Sequence, residues 1–476
     1  MHDHSTHLGP AERLQIAYTT KPVSGWGGLV AVVRYFDRLG LRALLRQALP
    51  DGRTSPNQIP AGEIILAFFA AILTGATRFA HVERLRADAV VRAILGVRRL
   101  PSAMTLTRYL GGFVRGQVEH CAAVCWAFTR AQLRPVPLGA VLDLDSTVFE
   151  RYGHQEGALK GHNPRKHGRP SHHPLLAILA EAKLVCNAWL RSGNTGTARG
   201  VEAFLAETLA TLPRDYRLYA LRADAGFFVT EFLTTLEARD LPYAVAVRMT
   251  RLVHRAVVGL SAWRPFGPGL EVAETAYQAL RWPAARRLVV VRERIAERPE
   301  ARGRQLVEVP GYTFHAVVTT LALPPEAVWR FYNSRAESEN RFKELKDDFG
   351  ARGFCLQSFD GTEAAFRLVC FLFNLVALFK RDITGNPRPQ LGTLRARLFV
   401  AGAILGARGH QAVLRLGLTG RAQAAFAALL ARIAGLVGPT VAQFRNWAEA
   451  DAYSPPTPWR ARRSRPVFPQ LQLRFN

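Results

Sequence analysis

The sequence is short of cysteine, lysine, acids and long apolar runs, and each shortage narrows what the chain can be. Its five cysteines, Cys121, Cys125, Cys186, Cys355 and Cys370, include no Cys-x-x-Cys pair, so a compact zinc-thiolate centre is excluded. Cys121 and Cys125 lie one helical turn apart in an apolar stretch and read as buried thiols. No run reaches the roughly 18 consecutive apolar residues that a membrane span needs. The longest, Ile64–Leu73 and Leu368–Phe379, the second broken by Asn374, read as core helices. The opening residues lack the apolar segment of a secretory signal, and an odd number of thiols fits a reducing compartment, so a cytoplasmic location is expected. At 49% hydrophobic and 21% charged, the chain is not mainly disordered. Its 476 residues give room for about two to four domains.

The scarcity of acids has the larger consequence. Thirty-seven Asp and Glu face 63 Lys and Arg, a net charge of +26. Such a charge repels itself and calls for a polyanionic partner. The cations are spread along the chain rather than gathered on a basic amphipathic helix, which favours nucleic acid over an acidic membrane surface. Only seven cations are lysine and 56 are arginine. Arginine forks match phosphate oxygens, but genomic base composition produces the same bias, so the excess alone decides little.

Residues 29 to about 130 carry apolar spacing of helical period in Leu29–Phe36, Leu41–Leu49, Ile64–Leu73, Val82–Leu95 and Phe113–Phe128. Gly40, Pro50, Gly75 and Gly96 punctuate them. Pro101-Ser-Ala-Met-Thr-Leu-Thr-Arg108 reads as a capped helix start. With the helix before it, this makes either a helix-turn-helix, placing Thr105, Thr107 and Arg108 against DNA, or an ordinary helical hairpin, the commoner outcome. Arg134-Pro-Val-Pro137 and Thr384-Gly-Asn-Pro-Arg-Pro389 read as stiff linkers. Between them, Val141–Asp145 and Leu218–Ala223 read as strands, and short β-like runs follow at Tyr243–Val247, Arg287–Val291, Gln305–Val309 and Phe314–Thr319. Helices return at Pro325–Phe349 and Thr362–Lys380, and the chain closes on Ala-rich helical sequence and a basic tail, Trp459–Arg465.

Strand followed by carboxylate occurs twice, at Asp145 and Asp224. Ligand sites of open α/β sheets lie beyond the carboxyl ends of strands, and paired carboxylates there attract a hard divalent cation. An Asp at a strand end is also a common turn former. Asp143 shares a strand face with Asp145, because side chains alternate with period two. The third acid sits in Tyr332-Asn-Ser-Arg-Ala-Glu-Ser-Glu-Asn-Arg-Phe-Lys-Glu-Leu-Lys346. On one helix at about 100° per residue, Tyr332, Arg335, Glu339 and Lys346 fall within about 60° of one another. They flank the apolar stripe of Phe342 and Phe349, whereas Glu337 and Glu344 point to solvent. This geometry selects Glu339, and an Arg335–Glu339 ion pair alone would leave Tyr332 and Lys346 unexplained.

Here the chain resembles the DDE transposases of bacterial insertion sequences, in the branch with the signature Tyr-x2-Arg-x3-Glu-x6-Lys. The stretches Leu142–Thr147, Tyr152–Gly157 and Arg222–Phe227 resemble the insertion-sequence-1380 family, with likeness from about residue 25 to 440. The resemblance implies an α/β protein with an RNase H-like core (a mixed sheet flanked by helices), a β-rich insertion and an N-terminal all-α DNA-binding region. The corresponding boundaries are a disordered N-terminus to residue 24, helices at 25–134, core at 138–239, insertion at 240–322, core again at 323–383 with the Glu helix, and a C-terminal region at 384–476.

It also implies Asp145, Asp224 and Glu339 as catalytic, metal-holding acids. Two Mg²⁺ ions per site are implied, with Mn²⁺ as a substitute. Tyr332, Arg335 and Lys346 would hold DNA phosphates, and Trp282, or else Trp263, would stack on a displaced base unless it is a core residue. The reaction implied is cleavage of the terminal inverted repeats and strand transfer, an endonuclease and polynucleotidyl transferase activity on transposon ends and target DNA. A homodimer in a synaptic complex, no membrane partner and a nucleoid-associated location in a bacterial cytoplasm go with it. A cleavage-dead DNA-binding protein or repressor of transposase descent, and a structure-specific nuclease, remain as other readings. Arg151–His173 carries Arg151, Lys160, Arg165, Lys166, Arg169, five histidines and one acid. Without compact zinc spacing, it reads as a flexible phosphate-tracking hairpin.

Overall fold

The computed structural model describes residues 11, 14–52, 55–161, 163, 166–280, 282–294 and 311–436. The runs Gln305–Val309 and Trp459–Arg465, and most of the first 13 residues, lie outside them. After a two-residue strand β1 (Val23–Ser24) come seven helices: α1 (Leu29–Arg38), α2 (Leu41–Ala48), α3 (Ala61–Leu73), α4 (Glu83–Arg86), α5 (Ala89–Leu95), α6 (Ala103–Gly111) and α7 (Arg115–Ala131). Ser102 caps α6, its hydroxyl accepting the Thr105 N–H. Seven residues separate α5 from α6, more than the three or four of a helix-turn-helix. The pair is therefore an ordinary helical arrangement, and Arg108, exposed on α6, is not carried by that motif.

The middle of the chain supplies β2 (Ala140–Ser146), β3 (Phe149–Glu150), β4 (Leu159–Lys160), β5 (Pro170–His172), β6 (Leu175–Leu179), β7 (Leu184–Trp189), α8 (Val201–Ala210), β8 (Leu218–Ala223), α9 (Thr230–Glu237) and β9 (Tyr243–Ala246). Then follow α10 (Arg251–Val258), β10 (Arg264–Gly267), β11 (Leu270–Tyr277), β12 (Arg286–Arg294), β13 (Tyr312–Thr319), α11 (Pro325–Asn333), α12 (Ala336–Asp347) and α13 (Phe359–Phe379). The last described elements are α14 (Leu391–Leu394), β14 (Ala403–Arg408), β15 (Gln411–Leu416) and α15 (Gly420–Ala434).

Nine strands form one mixed sheet in the order β10-β11-β12-β13-β9-β8-β2-β6-β7. β2, β8 and β9 are parallel, and β6 runs antiparallel to β2. Period-two alternation divides the strands between two cores. Leu142 and Leu144 of β2 and Leu221 and Ala223 of β8 pack with α8 and α9. Leu176 and Ile178 of β6 face the helical side with α13. On that same face β2 and β8 present Asp143, Asp145 and Arg222 instead of apolar residues.

The 240–322 segment is β-rich: β9 lies beside β8, and β10–β13 extend the same sheet. The N-terminal helices share one apolar cluster with α13, α12 and the β6–β7 face. One sequence expectation changes here. Val23 and Ser24, assigned to a disordered terminus, pair with Ile404 and Ala403 of β14.

The stretch Phe359–Thr384 is long and apolar enough to cross a membrane, but 94% of its most apolar window is buried inside the protein. Asn374, midway along α13, donates to the Val185 carbonyl (2.7 Å) and accepts the Val185 N–H (2.8 Å). It thus supplies a partner to β7, the outermost strand, at a buried position where unpaired backbone groups would be costly.

Candidate active site

β2 and β8 are parallel, with Asp143 opposite Arg222 and Leu144 opposite Ala223. Asp145 and Asp224 therefore leave two adjacent strands at the same carboxyl end. Asp224 opens a tight turn in which its Oδ1 accepts the Gly226 N–H at 2.9 Å. A Cβ at Gly226 would come within 2.7 Å of Thr197 Cγ2, so only glycine lets the two loops approach this closely.

The single helix drawn from the sequence is in fact two, with Arg335 at the break between α11 and α12. From there its guanidinium, only 4% exposed, reaches both acids. Arg335 Nη2 donates to Asp145 Oδ1 at 3.2 Å and Nη1 to Glu339 Oε1 at 2.7 Å. Nη2 also approaches the Leu144 carbonyl at 3.3 Å, and Nε has no partner. The Glu339 side chain is 62% exposed, so it lies at the rim with Arg335 tethering it. Lys346 Nζ donates to Thr147 Oγ1 at 3.3 Å. Tyr332 is half-buried at the end of α11.

The charges register one another. Burial pushes the Asp145 carboxyl up to about 6, and repulsion from Asp224 and Glu339 adds to this while Arg335 and Lys346 oppose it. Burial likewise raises the Tyr332 hydroxyl, with Asp224, Glu339 and Asp143 adding and Arg335 opposing. The three acids thus share one electrostatic neighbourhood.

Because the folded protein keeps a proton on Asp145 that an unfolded Asp (about 3.9) has released, its stability falls as pH rises from about 4 to about 6. The Asp145→Asn variant lacks this loss. In urea titrations, its stability relative to the parent should climb across that window and level off above pH 6. A difference independent of pH would refute the assignment.

Asp143 has another role. It is fully buried and takes both arms of Arg222, at 2.7 and 2.8 Å, plus the Ser338 hydroxyl. Arg222 continues to the Phe331 carbonyl (2.8 Å) and the Ser334 hydroxyl. This pair therefore fastens the α11–α12 break, and with it Arg335, onto the sheet. Arg222 was missed from sequence, although an arginine inside an apolar strand opposite an equally isolated Asp143 was a visible signal. A second missed group lies beside Asp145. Ser146 Oγ bonds His173 Nε2 (3.1 Å) and Thr197 Oγ1 (3.3 Å). Buried Arg191, its pKa lowered to about 10 by burial, donates to the carbonyls of His173, Thr197 and Arg199 and so shapes the loop.

Glu344, expected in solvent, is instead buried between Lys380 (3.3 Å) and Arg341 (3.2 Å) and accepts the Leu391 N–H. The cause is the α14 segment, which packs over that face of α12. Trp282 is 8% exposed, packed against Phe228 and Tyr277 and covered by the Arg286 guanidinium. It is a core residue and cannot stack on a base as folded. Trp263 is covered by Arg292. Within the Arg151–His173 segment β4 and β5 pair as an antiparallel hairpin, and β3, just before it, adds a third strand to β5. There Lys160 is exposed, Lys166 pairs with Glu150 at 3.0 Å, and Arg169 lies over the Tyr152 ring. Arg165 lies outside the described residues.

Among the described residues, no three His, Cys, Asp or Glu side chains stand close enough to hold a metal ion as folded. The donor chemistry nevertheless suits a hard divalent ion: three carboxylates, one half-buried and raised by that burial with the other two adding, and a guanidinium bridging two of them.

A solved structure, the cryo-EM structure of a piggyBac transposase synaptic complex with hairpin DNA, is similar at 12% identity and a TM-score of 0.43, over 90% of this chain and 87% of that one. No curated protein matches the sequence. The sequence model of the transposase DDE domain group 1 matches residues 7–437, nearly the whole chain; divalent metals are typical of this family. The chain belongs to the DDE transposase family, domain group 1.

Proposed function

We propose that this protein is an active DNA transposase of a bacterial insertion sequence of the 1380 type, which binds the terminal inverted repeats of its element, cleaves there and transfers the strand. The observation that carries this reading is the meeting of Asp145 and Asp224, at the ends of adjacent parallel strands, with an Arg335–Glu339 pair from a helix packed on that sheet. An RNase H-like core is supported by the strand order β7-β6-β2-β8-β9, in which β6 runs against the other four strands. Asp145, Asp224 and Glu339 would hold two Mg²⁺ ions. When bound, these supply an activated attacking oxygen and charge stabilisation of the leaving 3′ oxygen.

The chain's own residues do the rest. Arg335, which bonds Asp145 and Glu339 as folded, would hold a phosphate oxygen of the bound DNA. Lys346 and Tyr332 hold neighbouring phosphates, and the Arg222–Asp143 pair keeps the helix break in register. Water opens the phosphodiester at the element end, and the freed 3′-hydroxyl attacks a second phosphodiester in line with its leaving group. Double-stranded DNA of element ends and target is the substrate, and two ends in one synaptic complex call for a homodimer.

The test is a nicking and strand-transfer assay on DNA carrying the element's own terminal repeats. Mg²⁺-dependent nicks with 3′-hydroxyls, followed by joining to target, are expected. Tight end binding with no cleavage would make the protein a repressor. Cutting of branched DNA of any sequence, with no joining, would make it a structure-specific nuclease.

A further inference from the structure

The two proline-bearing segments that read as linkers, 134–137 and 384–389, face each other across a cavity of about 210 Å³. Arg134, Pro135 and Val136 form one wall and Pro387 the other, with Lys183, Arg341, Lys380 and Arg381 between them. A second cavity of about 340 Å³ shares Glu181, Lys183 and Arg341 and continues from Ser334, at the end of α11, along α12 past Glu337 and Ser338. Those α12 positions recur at helical spacing on the flank turned away from Arg335, Glu339 and Lys346.

From this trough the geometry points to a preorganised binding site for a DNA backbone phosphate other than the one at the acids. Five cations line the first cavity, and the carboxylates near them are already engaged. Asp382 holds Arg134 and Arg381, Glu344 holds Arg341 and Lys380, and Glu181 accepts the Val141 N–H. Among the described residues, no carboxylate lies within ion-pair distance of Lys183. Burial, with repulsion from Arg341 and Arg388, holds its ammonium below the ordinary lysine range against the pull of Glu337. Lys380 is lowered in the same way, by burial first and then by Arg341 and Lys183, with Glu344 opposing. Lys183 thus stands without an ion-pair partner among the described residues, beside four other cations, and an anion entering the cavity would balance its charge.

The walls suit a fixed site. Proline presets the backbone of both segments, and Arg341 and Lys380 tie the second one down through the Pro387 and Pro389 carbonyls, at 3.3 and 3.2 Å. Lys183 occupies a left-handed turn position, φ 57°, that aims it from the β6–β7 turn. An inorganic anion would find the same donors. A duplex adds neighbouring phosphates, and the overall +26 charge favours it.

This inference rests on the reading that the chain handles DNA. The test is fluorescence anisotropy of a labelled duplex from 50 to 200 mM salt with the double variant Arg134→Gln/Lys183→Asn. Asn tolerates the left-handed backbone. Arg381 keeps Asp382 paired, and the Arg134 side chain is 68% exposed, so the fold should survive, as thermal unfolding would verify. The log–log salt slope should become shallower by about 0.9, the change expected for the loss of one phosphate contact. The charge-preserving variant Arg134→Lys/Lys183→Arg should retain the parent slope. Equal slopes for parent and double variant, with the parent binding, would overturn the trough alone. A parent that binds duplex without salt dependence, or not at all, would overturn the DNA reading as well.

Discussion

Replacing Asp145 by Asn should reduce Mg²⁺-dependent nicking of element-end DNA by about 10²–10³-fold or more, the loss typical when one transition-state-stabilising group is removed. Asp145 is central because Arg335 bonds it, and because burial raises its carboxyl with repulsion from Asp224 and Glu339 adding while Arg335 and Lys346 oppose. The amide has the same shape but one charge fewer, so Arg335 keeps a hydrogen-bond acceptor and the helix break keeps its place. End binding in a mobility-shift assay should therefore change little. An Asn variant that still nicks within a few fold of the parent would remove Asp145 from the chemistry, and with it the proposed function. A variant that neither nicks nor folds would be distinguished by its melting curve.

Arg222→Met should give the largest loss of stability. Asp143 is fully buried and has Arg222 as its ion-pair partner. Removing one member of a buried pair strands the other's charge, at a cost of about 3–5 kcal/mol. The same change frees the Phe331 carbonyl and the Ser334 hydroxyl, loosening the break from which Arg335 reaches Asp145. Nicking should fall along with stability. The double variant Asp143→Leu/Arg222→Met removes both charges and should recover much of the loss, because replacing a whole buried pair is often close to neutral. Urea unfolding of the three proteins measures this. A double variant as unstable as the single one would show that the penalty comes from lost packing, not from an unpaired charge.

Much of this architecture was legible one residue at a time. The Ser102 cap, the alternation in Val141–Asp145 and Leu218–Ala223, and the buried thiols of Cys121 and Cys125 all follow from local rules, and the structure contains them. The distant partners were not legible. Glu344 read as solvent-facing because a helical wheel knows only its own helix, whereas α14, about 45 residues later in the chain, covers that face and brings the Leu391 amide to it. For Trp282 the resemblance left base stacking and a core position both open, and only the Phe228, Tyr277 and Arg286 side chains that enclose it decide for the core. That β10–β13 of the 240–322 segment join the same sheet as β2 and β8 was not legible either, because strand runs carry no label for the sheet they join.

By itself the sequence determined which side chains could carry the chemistry: two acids that end apolar strands, a spaced Tyr-Arg-Glu-Lys set, and a positive charge that demands a polyanion. Residue type and short-range period are properties of the chain, and they survive whatever it packs against. Only the tertiary structure decided that Arg335 stands at a helix break between Asp145 and Glu339, that Arg222 neutralises Asp143 rather than Asp145, and that two apparent linkers wall a cationic trough. Each of these depends on contacts between residues tens to hundreds of positions apart, where burial sets which charges must find partners, and no local pattern encodes that.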